Sequence, residues 1–314
     1  MVGFDIGGTK CTVSIGEEKN GFMHILDKKI IPTDHSISGY EMIDKMCSLA
    51  EKMTDDFSRI GISCGGPLDN KSGIIISPPN LPKFRNIKVV DYLKEKYGGY
   101  VRLENDADAC AFAEWKYGAG QGSQNMIFLT FGTGMGAGLI LDGKLYSGTN
   151  GNAGEIGHVR MRSTGPVGFG KAGSFEGFAS GGGIAQMAKS AAKKQLEKGL
   201  TPLYCKSLDD LDYITAQSVA QAAYNGDKTA IDVYQKCGKM LGYGLSILID
   251  ILNPEKIVIG SIYTRSGDLL KEEMMKAIKK EALTPSLSVV EILPAALGEN
   301  LGDYAALSLA VENH

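Results

Sequence analysis

The sequence opens with GFDIGGTKCTVSIGEEKNG (residues 3–21) and returns to the same pattern in LTFGTGMGAGLILDGKLYSG (residues 129–148). Each stretch reads as a short apolar strand, a glycine turn, a second strand and a polar turn that leads to a third strand. The copies begin about 125 residues apart, and self-similarity on this scale indicates a duplicated fold. We therefore expect an α/β protein built from two similar lobes around a cleft.

Apolar residues at helical or strand spacing divide the remaining chain into helices and strands. In residues 38–57, for example, Met42, Met46 and Leu49 recur at helical spacing. The predicted helices cover residues 38–57, 89–98, 107–119, 181–198, 215–226, 228–253, 268–283 and 301–313, and further strands cover residues 59–66, 99–106, 256–260 and 289–295.

No low-complexity linker divides the chain into separate domains. We predict an N-terminal lobe at residues 1–108 and a C-terminal lobe at residues 109–297. The final helix, within about residues 298–314, is expected to pack back on the N-terminal lobe.

The composition is that of an ordinary globular protein: 314 residues, 43% hydrophobic and 22% charged, with a net charge of −3. A nucleic-acid partner needs a concentrated basic face, and no block of like charges is present. No apolar run reaches the roughly 18 residues of a membrane span, and the N-terminus lacks the order of a signal peptide. The six cysteines are scattered without a CxxC pair, as is typical of free thiols. These features predict a cytoplasmic protein with neither a nucleic-acid nor a membrane partner.

The second glycine turn contains a GxGxxA match, from Gly132 to Ala137. In a dinucleotide-binding fold this motif opens a helix that holds a pyrophosphate, whereas here another strand follows. A GxxxxGK[ST] phosphate loop is absent as well. What remains is a tight turn that can present backbone N–H groups to an anion. The turn with Asp5 and Thr9 and the turn with Thr133 together predict a clamp for nucleotide phosphates, although each alone is also an ordinary hairpin turn.

Two charged side chains beside the first turn suit such a clamp. Asp5 offers the oxygen ligand that Mg²⁺ prefers, or it simply forms the turn before two glycines. Lys10 can neutralise phosphate charge, or it is a solvated surface lysine.

Polar residues elsewhere leave several interpretations open. Asp106 lies between a predicted strand and a predicted helix, where it can cap the helix or act as a general base. Glu155, His158 and Glu176 lie in a glycine-rich run, where they can bind metal, act in catalysis or hold a substrate. A pair of carboxylates also serves glycoside cleavage.

Six motifs together resemble the ROK family of bacterial sugar kinases and related repressors, within the sugar kinase/actin/Hsp70 superfamily. They are DIGGTK (5–10), GPLDNKSG (66–73), NLPKFRN (80–86), LENDADACAFAE (103–114), FGTGMGAGLILDGKLYSG (131–148) and GNAGEIGH (151–158). The C-terminal LNPEKIVIG and ALGENLGDYAAL fit as well, so the resemblance covers nearly the whole chain.

The resemblance implies an actin-like ATPase (ribonuclease H-like) fold, a homodimer, and transfer of the γ-phosphoryl group of ATP to a hexose hydroxyl, usually on carbon 6. Asp106 matches the general base, and Mg²⁺ would arrive with ATP near Asp5. The residues implied to bind the nucleotide are Asp5, Gly7, Gly8, Thr9, Lys10, Gly132, Thr133, Gly134 and Gly260. Those implied to bind the sugar are Gly65, Gly66, Asn80, Asn105, Asp106, Glu155, His158 and Glu176.

The chain departs from the family pattern after the histidine. Family members usually carry CxCGxxGCxE there and form a His-Cys-Cys-Cys zinc site, whereas the cysteine positions here are Val167, Phe169 and Ser174. One histidine cannot hold a tetrahedral zinc, so we predict no structural zinc. We expect burial of Val167 and Phe169 to replace the lost crosslink.

Two further departures concern single residues. Asp108 stands where the family more often has asparagine, and its charge could raise the pKa of the proposed base. Gly260-Ser261 stands where the family has Gly-Gly beside the adenine.

The leading hypothesis is an ATP-dependent, glucokinase-like hexose kinase, with an N-acetylmannosamine or N-acetylglucosamine kinase as its alternative. A sugar-sensing repressor would carry a helix-turn-helix domain before the first strand, which begins at residue 2, so a repressor is not expected. A sugar-binding protein without catalysis is the third hypothesis, and the retained Asp106 and both glycine turns argue against it.

Overall fold

The computed structural model describes residues 1–311, in which helices and strands alternate along the chain. The central strands are apolar and buried, as expected for sheets covered by helices. The strands are β1 (Val2–Ile6), β2 (Lys10–Lys19), β3 (Phe22–Pro32), β4 (Arg59–Cys64), β5 (Leu68–Asp69), β6 (Ile74–Ile75), β7 (Tyr100–Asn105), β8 (Met126–Leu129), β9 (Ala137–Leu141), β10 (Lys144–Leu145), β11 (Val167–Gly168), β12 (Lys171–Ala172), β13 (Lys256–Ile259) and β14 (Glu291–Pro294).

Most of the long helices begin at a side chain that caps their first N–H groups. Ser38, Ser180 and Asp227 each accept a backbone N–H in this way. The helices are α1 (Gly39–Ala50), α2 (Val89–Tyr97), α3 (Asp106–Tyr117), α4 (Phe175–Phe178), α5 (Gly181–Leu196), α6 (Ala216–Tyr224), α7 (Lys228–Leu252), α8 (Ile262–Glu281), α9 (Thr284–Leu287) and α10 (Leu301–Leu309).

The first sheet has the strand order β3-β2-β1-β4-β7. The strands β1, β2 and β3 form an antiparallel meander, and β4 and β7 run parallel to β1. The register pairs Ile6 with Cys64 and Cys64 with Asn105, so these three strands end level with one another. Segments that follow the carboxyl ends of parallel strands share one edge of a sheet, which is where open α/β sheets place their sites.

The second sheet has the order β10-β9-β8-β13-β14 and repeats the plan of the first. Its strands β8, β13 and β14 are parallel, and the register pairs Leu129 with Ile259 and Ile259 with Pro294. The second glycine turn and Gly260 therefore follow strands that end at the same edge. Since the GxGxxA match leads into β9 and not into a helix, the dinucleotide-binding interpretation is excluded.

Contacts group the described chain into two compact units. The first comprises Met1–Gln124, Gly138–Ala153 and the chain from Ala296, and the second comprises Asn125–Ala137 and Gly154–Ala295. The first unit thus includes all of α3, whereas the lobe boundary predicted from the sequence falls at residue 108.

The core of the first unit forms around its sheet and two helices. Buried residues such as Phe4 and Ile62 cover the sheet, and Phe112 of α3 packs with Leu309 of α10. The helix α10 also contacts β1 and β4. Residues 312 and 313 of the predicted final helix lie outside the described residues.

Elements of only a few residues were not predicted from the sequence, because they are too short for a periodic signal. These are the hairpins β5–β6 and β11–β12 and the helices α4 and α9. The helix predicted at residues 268–283 begins earlier, at Ile262, and is interrupted at Ser266, where φ is −143°. None of the helices within residues 1–311 is both long and apolar enough to cross a membrane.

Candidate functional site

The first glycine turn, between β1 and β2, is held by its carbonyl oxygens. The Thr33 hydroxyl donates to Gly7 O at 2.6 Å, and His35 Nε2 lies 2.9 Å from Gly8 O, close enough to donate to it. The Thr33 N–H donates to Thr9 O at 3.0 Å. Within residues 1–311 the N–H groups of Gly8 and Thr9 have no protein acceptor. Two neighbouring donors are therefore free to bind an anion.

Asn80 lies directly against this turn. A Cβ atom at Gly8 would lie 2.6 Å from Asn80 Cβ and 2.9 Å from Asn80 O, so only glycine fits there. Asn80 is exposed, as are Thr9 and Lys10. The structure thus brings a residue predicted for the sugar to one predicted for the phosphates.

The second glycine turn, between β8 and β9, is held in the same manner by backbone groups. Gly132 O accepts the N–H of Gly181 at 2.8 Å, and Thr133 O accepts the N–H of Gly182 at 3.1 Å. The Gly132 N–H donates to Gly134 O at 3.0 Å. In the described part of the chain, the N–H groups of Thr133 and Gly134 have no protein acceptor. This turn therefore also offers two adjacent free donors.

Glu176 contacts the second turn from the helix α4. Its Oε2 accepts the N–H of Met135 at 3.0 Å. A Cβ atom at Gly134 would lie 2.7 Å from the same oxygen, so the turn and the carboxylate touch. Glu176, predicted for the sugar, is thus placed beside the turn predicted for the phosphates.

Glu155 and His158 flank a single helical turn at Ile156–His158. A Cβ atom at Gly157 would lie 2.2 Å from Met135 O and 3.4 Å from Glu176 Cβ, so the backbone of this turn packs against Met135 and Glu176. The side chains of Glu155 and His158 are exposed. The structure gathers the three predicted residues in one region.

The expectation that Val167 and Phe169 are buried was wrong. Their side chains are 46% and 77% exposed: Val167 lies in β11, and Phe169 lies in the turn that joins β11 to β12. Ser174, at the third cysteine position of the family, is buried. Among residues 1–311 no group of three or more His, Cys, Asp or Glu side chains is placed to hold a metal ion.

Asp106 is the first residue of α3, directly after β7. The cap of this helix is Asn105, whose Oδ1 accepts the Ala107 N–H at 3.0 Å, so the interpretation of Asp106 as the cap was wrong. Asp106 Oδ1 accepts the same N–H at 2.8 Å. Cβ atoms at Gly65 and Gly66 would lie 3.8 Å from Asp106 Oδ2 and 3.2 Å from Asn105 Nδ2. The ends of β4 and β7 thus bring these four predicted residues together.

Desolvation raises the pKa values of the carboxyl groups at this edge of the first sheet, and the charge of Asp106 adds to the rise at Asp5. Asp106 is accessible to solvent, yet the protein around it displaces enough water to raise its pKa. Desolvation and then the charge of Asp106 raise the pKa of Asp5 to about 6, with a further contribution from Asp303. A hydrogen bond from Ser63 and the charge of Lys10 oppose this rise. The edge therefore carries an excess of negative charge.

Asp108 is a buried acid next to the proposed base. Burial and then the charge of Glu104 raise its pKa to about 7, and Asp106 adds to the rise. The Ser147 hydroxyl donates to Asp108 Oδ2 at 3.1 Å, and Arg102 partly offsets the repulsion. The predicted negative charge beside Asp106 is therefore a carboxyl group that changes charge near neutral pH.

Ser261 follows Gly260 at the end of β13. The Gly260 N–H donates to Leu129 O at 2.9 Å and so continues the sheet. Ser261 has φ +54° and ψ −107°, backbone angles that residues other than glycine rarely adopt. A Cβ atom at Gly132 would lie 3.6 Å from Ser261 Oγ, so this residue lies beside the second turn.

The sequence did not point to Thr33, His35 or Ser147. Thr33 and His35 lie outside the quoted motifs, whereas Ser147 lies within the motif at residues 131–148. Each contacts a partner more than twenty residues away in the chain. Residue spacing carries no signal for such pairs.

Comparison with known proteins gives one consistent result. A model of the ROK family matches residues 1–313. A glucokinase of Halalkalibacterium halodurans is 33% identical over 310 residues, which cover 96% of this chain and 92% of the relative. The xylose repressor of Caldicellulosiruptor bescii is 29% identical over 271 residues, which cover 86% of this chain and 63% of the repressor.

Among solved structures, a ROK family glucokinase from Streptomyces griseus in complex with glucose and AMPPNP matches with a TM-score of 0.79. It is 29% identical, and the match covers 99% of this chain and 98% of that one. This likeness and the two five-stranded sheets confirm the actin-like ATPase fold predicted from the motifs.

Proposed function

This chain belongs to the ROK family, and on that basis we propose that it is an ATP-dependent, glucokinase-like hexose kinase. The reaction would transfer the γ-phosphoryl group to a sugar hydroxyl, on carbon 6 of a hexose. Glucokinases are among its relatives at about 30% identity over nearly the whole chain, which supports a sugar kinase.

The observation that carries this proposal is the shared construction of the two glycine turns. In each turn the carbonyl oxygens lie at hydrogen-bond distance from donors on another segment of the chain. Two successive N–H groups of each turn have no protein acceptor in the described chain. Paired backbone donors without side chains in the way are what phosphate oxygens require. Phosphoryl transfer depends chiefly on such positioning and on charge neutralisation.

Asp106 is the proposed general base. Its carboxylate accepts the hydroxyl proton of the sugar as that oxygen forms a bond to the γ-phosphorus and the bond to the β-phosphate oxygen breaks. The products are ADP and the sugar phosphate. The raised pKa of Asp106 makes its ionised form a stronger proton acceptor than an ordinary aspartate.

The residues that the family resemblance implies for the sugar remain the proposed sugar-binding residues. Asn80 and Asn105 offer amide groups, and the backbone at Gly65 and Gly66 leaves room for a ring. Glu155, His158 and Glu176 offer carboxylate and imidazole groups, which pair well with hydroxyls.

The residues at Asp5 fit a Mg²⁺ ion that arrives with ATP. Asp5 and Asp303 lie close enough for their charges to interact, and Asp303 Oδ1 is buried without a partner in the described chain. Carboxylate oxygens are the ligands that Mg²⁺ prefers, and a cation would relieve the excess negative charge. When bound, the ion would neutralise phosphate charge, and Asp5 is the residue proposed to hold it.

The first experiment is an ADP-release assay with glucose, mannose, allose, fructose, N-acetylglucosamine and N-acetylmannosamine. We expect phosphorylation of a hexose, and a preference for either hexosamine would favour the alternative substrate class. If no sugar is phosphorylated although one binds, the protein is a sugar-binding member of the family. Sugar-dependent binding to DNA would instead indicate a repressor, as in the xylose repressors among its relatives.

The second experiment tests the base. Asp106→Asn should lower kcat by about 10²–10⁴-fold and leave sugar affinity within a few-fold, because the amide keeps the size but cannot accept the proton. Asp91→Asn, on the exposed face of α2, is the matched control. A kcat of Asp106→Asn within a few-fold of the wild-type value contradicts this role.

We also propose that the protein is a cytoplasmic homodimer. All six cysteines are free thiols, which suits a reducing compartment. Analytical ultracentrifugation measures the oligomeric state directly, and a monomer at micromolar concentration contradicts the dimer.

A further inference from the structure

One side-chain amide ties the hairpin β11–β12 to the helix α5. Gln186 Oε1 accepts the N–H of Val167 at 2.9 Å, and Gln186 Nε2 donates to Val167 O at 2.8 Å. Both backbone groups of one residue are thus satisfied as a neighbouring strand would satisfy them. Val167 occupies the first of the three cysteine positions of the family.

A second tie comes from Ser174, at the third cysteine position. Its hydroxyl lies 3.4 Å from Gly168 O and accepts the N–H of Gly177 at 3.1 Å, so it joins β11 to α4. Ser174 is fully buried. Phe169, at the second position, is exposed, and its ring lies edge-on to the His158 ring with 6.3 Å between the ring centroids.

Other side chains tie the hairpin region to itself and not to α5. Arg160 Nη1 donates to Ala172 O at 2.8 Å, and Lys171 Nζ donates to His158 O at 2.8 Å. Among residues 1–311, the side-chain hydrogen bonds between the hairpin and α5 are those of Gln186.

The strand β11, which Gln186 holds, packs directly against Glu176. A Cβ atom at Gly168 would lie 2.8 Å from Glu176 Cβ and 2.6 Å from the Gly177 nitrogen, so no space separates β11 from α4. Glu176 in turn holds the Met135 N–H. A displacement of Val167 and Gly168 therefore moves the Glu176 carboxylate.

We propose that Gln186 is a positioning residue for Glu176, and that its two bonds to Val167 hold in place, without metal, the hairpin that backs the sugar site. The role in sugar affinity rests on the proposed function of Glu176. The tie itself stands on the geometry alone.

The test compares three variants of the full-length protein. Gln186→Leu has a similar size and loses both bonds. Gln186→Glu keeps the acceptor for the Val167 N–H but, when ionised, cannot donate to Val167 O. Gln195→Leu is the matched control, because this glutamine lies on the same helix and its side chain makes no hydrogen bond within the described chain.

Four quantities are measured for each variant: KM for glucose, KM for ATP, kcat, and the rate of tryptic cleavage after Arg162 and Lys171. Gln186→Leu should raise KM for glucose about tenfold and leave KM for ATP within twofold, as the loss of two hydrogen bonds suggests. Cleavage in the hairpin should be faster by at least a similar factor, and saturating glucose should suppress it. Gln186→Glu should approach wild-type KM as pH falls and its carboxyl group becomes a donor.

The outcomes distinguish the structural role of the Gln186–Val167 bonds from a role of Gln186 in sugar affinity. An unchanged rate of tryptic cleavage in Gln186→Leu would show that the two bonds do not hold the hairpin in place. Faster cleavage with an unchanged KM for glucose shows that the tie is only structural and overturns the positioning role. If the wild-type protein phosphorylates no sugar, the proposed function fails, while cleavage and calorimetric titration with glucose still test the inference.

Discussion

At the scale of single residues, the first glycine turn depends on two side chains of the segment after β3. Thr33 and His35 contact the carbonyl oxygens of Gly7 and Gly8 at hydrogen-bond distance. The N–H groups of Gly8 and Thr9 have no protein acceptor in the described chain. The expected contribution of Thr33 and His35 is orientation of the turn, not charge.

Thr33→Val should therefore weaken nucleotide binding. The valine keeps the volume but loses the 2.6 Å bond to Gly7 O, and one lost hydrogen bond corresponds to a roughly fivefold rise in KM for ATP. KM for the sugar should stay constant. Thr33→Ser restores the hydroxyl and should behave as wild type. Equal changes in both KM values would show general damage instead of a role in the turn.

Asp108 predicts an unusual dependence of stability on pH. Its folded pKa of about 7 lies above the usual value for an unfolded chain, so the folded protein holds a proton that the unfolded chain has released. Stability is therefore lost as pH rises from the unfolded pKa towards 7, and the loss is complete above pH 7. A neutral residue at this position would escape that loss.

Asp108→Asn should accordingly stabilise the protein more at pH 8 than at pH 5, by about 2 kcal/mol. The amide oxygen can still accept from Ser147. Urea unfolding at both pH values measures the difference, with Asp91→Asn as the exposed control. A gain that is the same at both pH values would mean that Asp108 is already ionised at pH 5.

At the scale of elements, the start of α8 stores backbone strain. Ser261 has φ +54° and ψ −107°, which glycine adopts freely and serine does not. Asn253, which ends α7, has φ +44° and ψ 55°, the left-handed region that asparagine tolerates. The two positions differ in strain although both have positive φ.

Ser261→Gly should raise the free energy of unfolding by about 1 kcal/mol, because relief of strain exceeds the added entropy of the unfolded chain. Asn253→Gly carries the same entropic cost without much strain to relieve and serves as the control. Denaturation midpoints in urea compare the two. If Ser261→Gly is no more stable than Asn253→Gly, the strain at Ser261 is not significant.

At the scale of the whole molecule, side-chain hydrogen bonds join the hairpin β11–β12 to α4 and α5. No group of three or more His, Cys, Asp or Glu side chains in residues 1–311 is placed to hold a metal ion. At two of the family's cysteine positions, Val167 is hydrogen-bonded to Gln186 and Ser174 to Gly168. Purified protein should contain less than about 0.1 zinc per chain, since three of four ligands are missing.

Chelation should leave the nucleotide-free protein unchanged. Its Tm should be the same before and after dialysis against EDTA, and kinase activity should return fully when Mg²⁺ alone is added back. One tightly held zinc per chain, or activity that only zinc restores, would contradict the account of the hairpin.

The sequence by itself determined the features that depend on local patterns. The repeat of strand, glycine turn and strand predicted two sheets of one plan, and the structure has the orders β3-β2-β1-β4-β7 and β10-β9-β8-β13-β14. The helices α3 and α7 were predicted at residues 107–119 and 228–253. The motifs also named the turns and Asp106, because turn chemistry and strand ends are written in consecutive residues.

Only the tertiary structure decided what those residues touch. It placed His35 on Gly8, buried Asp108 beside Ser147 and left Phe169 exposed where burial was expected. It also joined Gln186 to a hairpin too short to predict. Such contacts join residues far apart in the chain, and hydrophobic periodicity specifies which face of an element is buried but not which side chain meets it. For that reason the fold was readable from the sequence, whereas the supports of its proposed site were not.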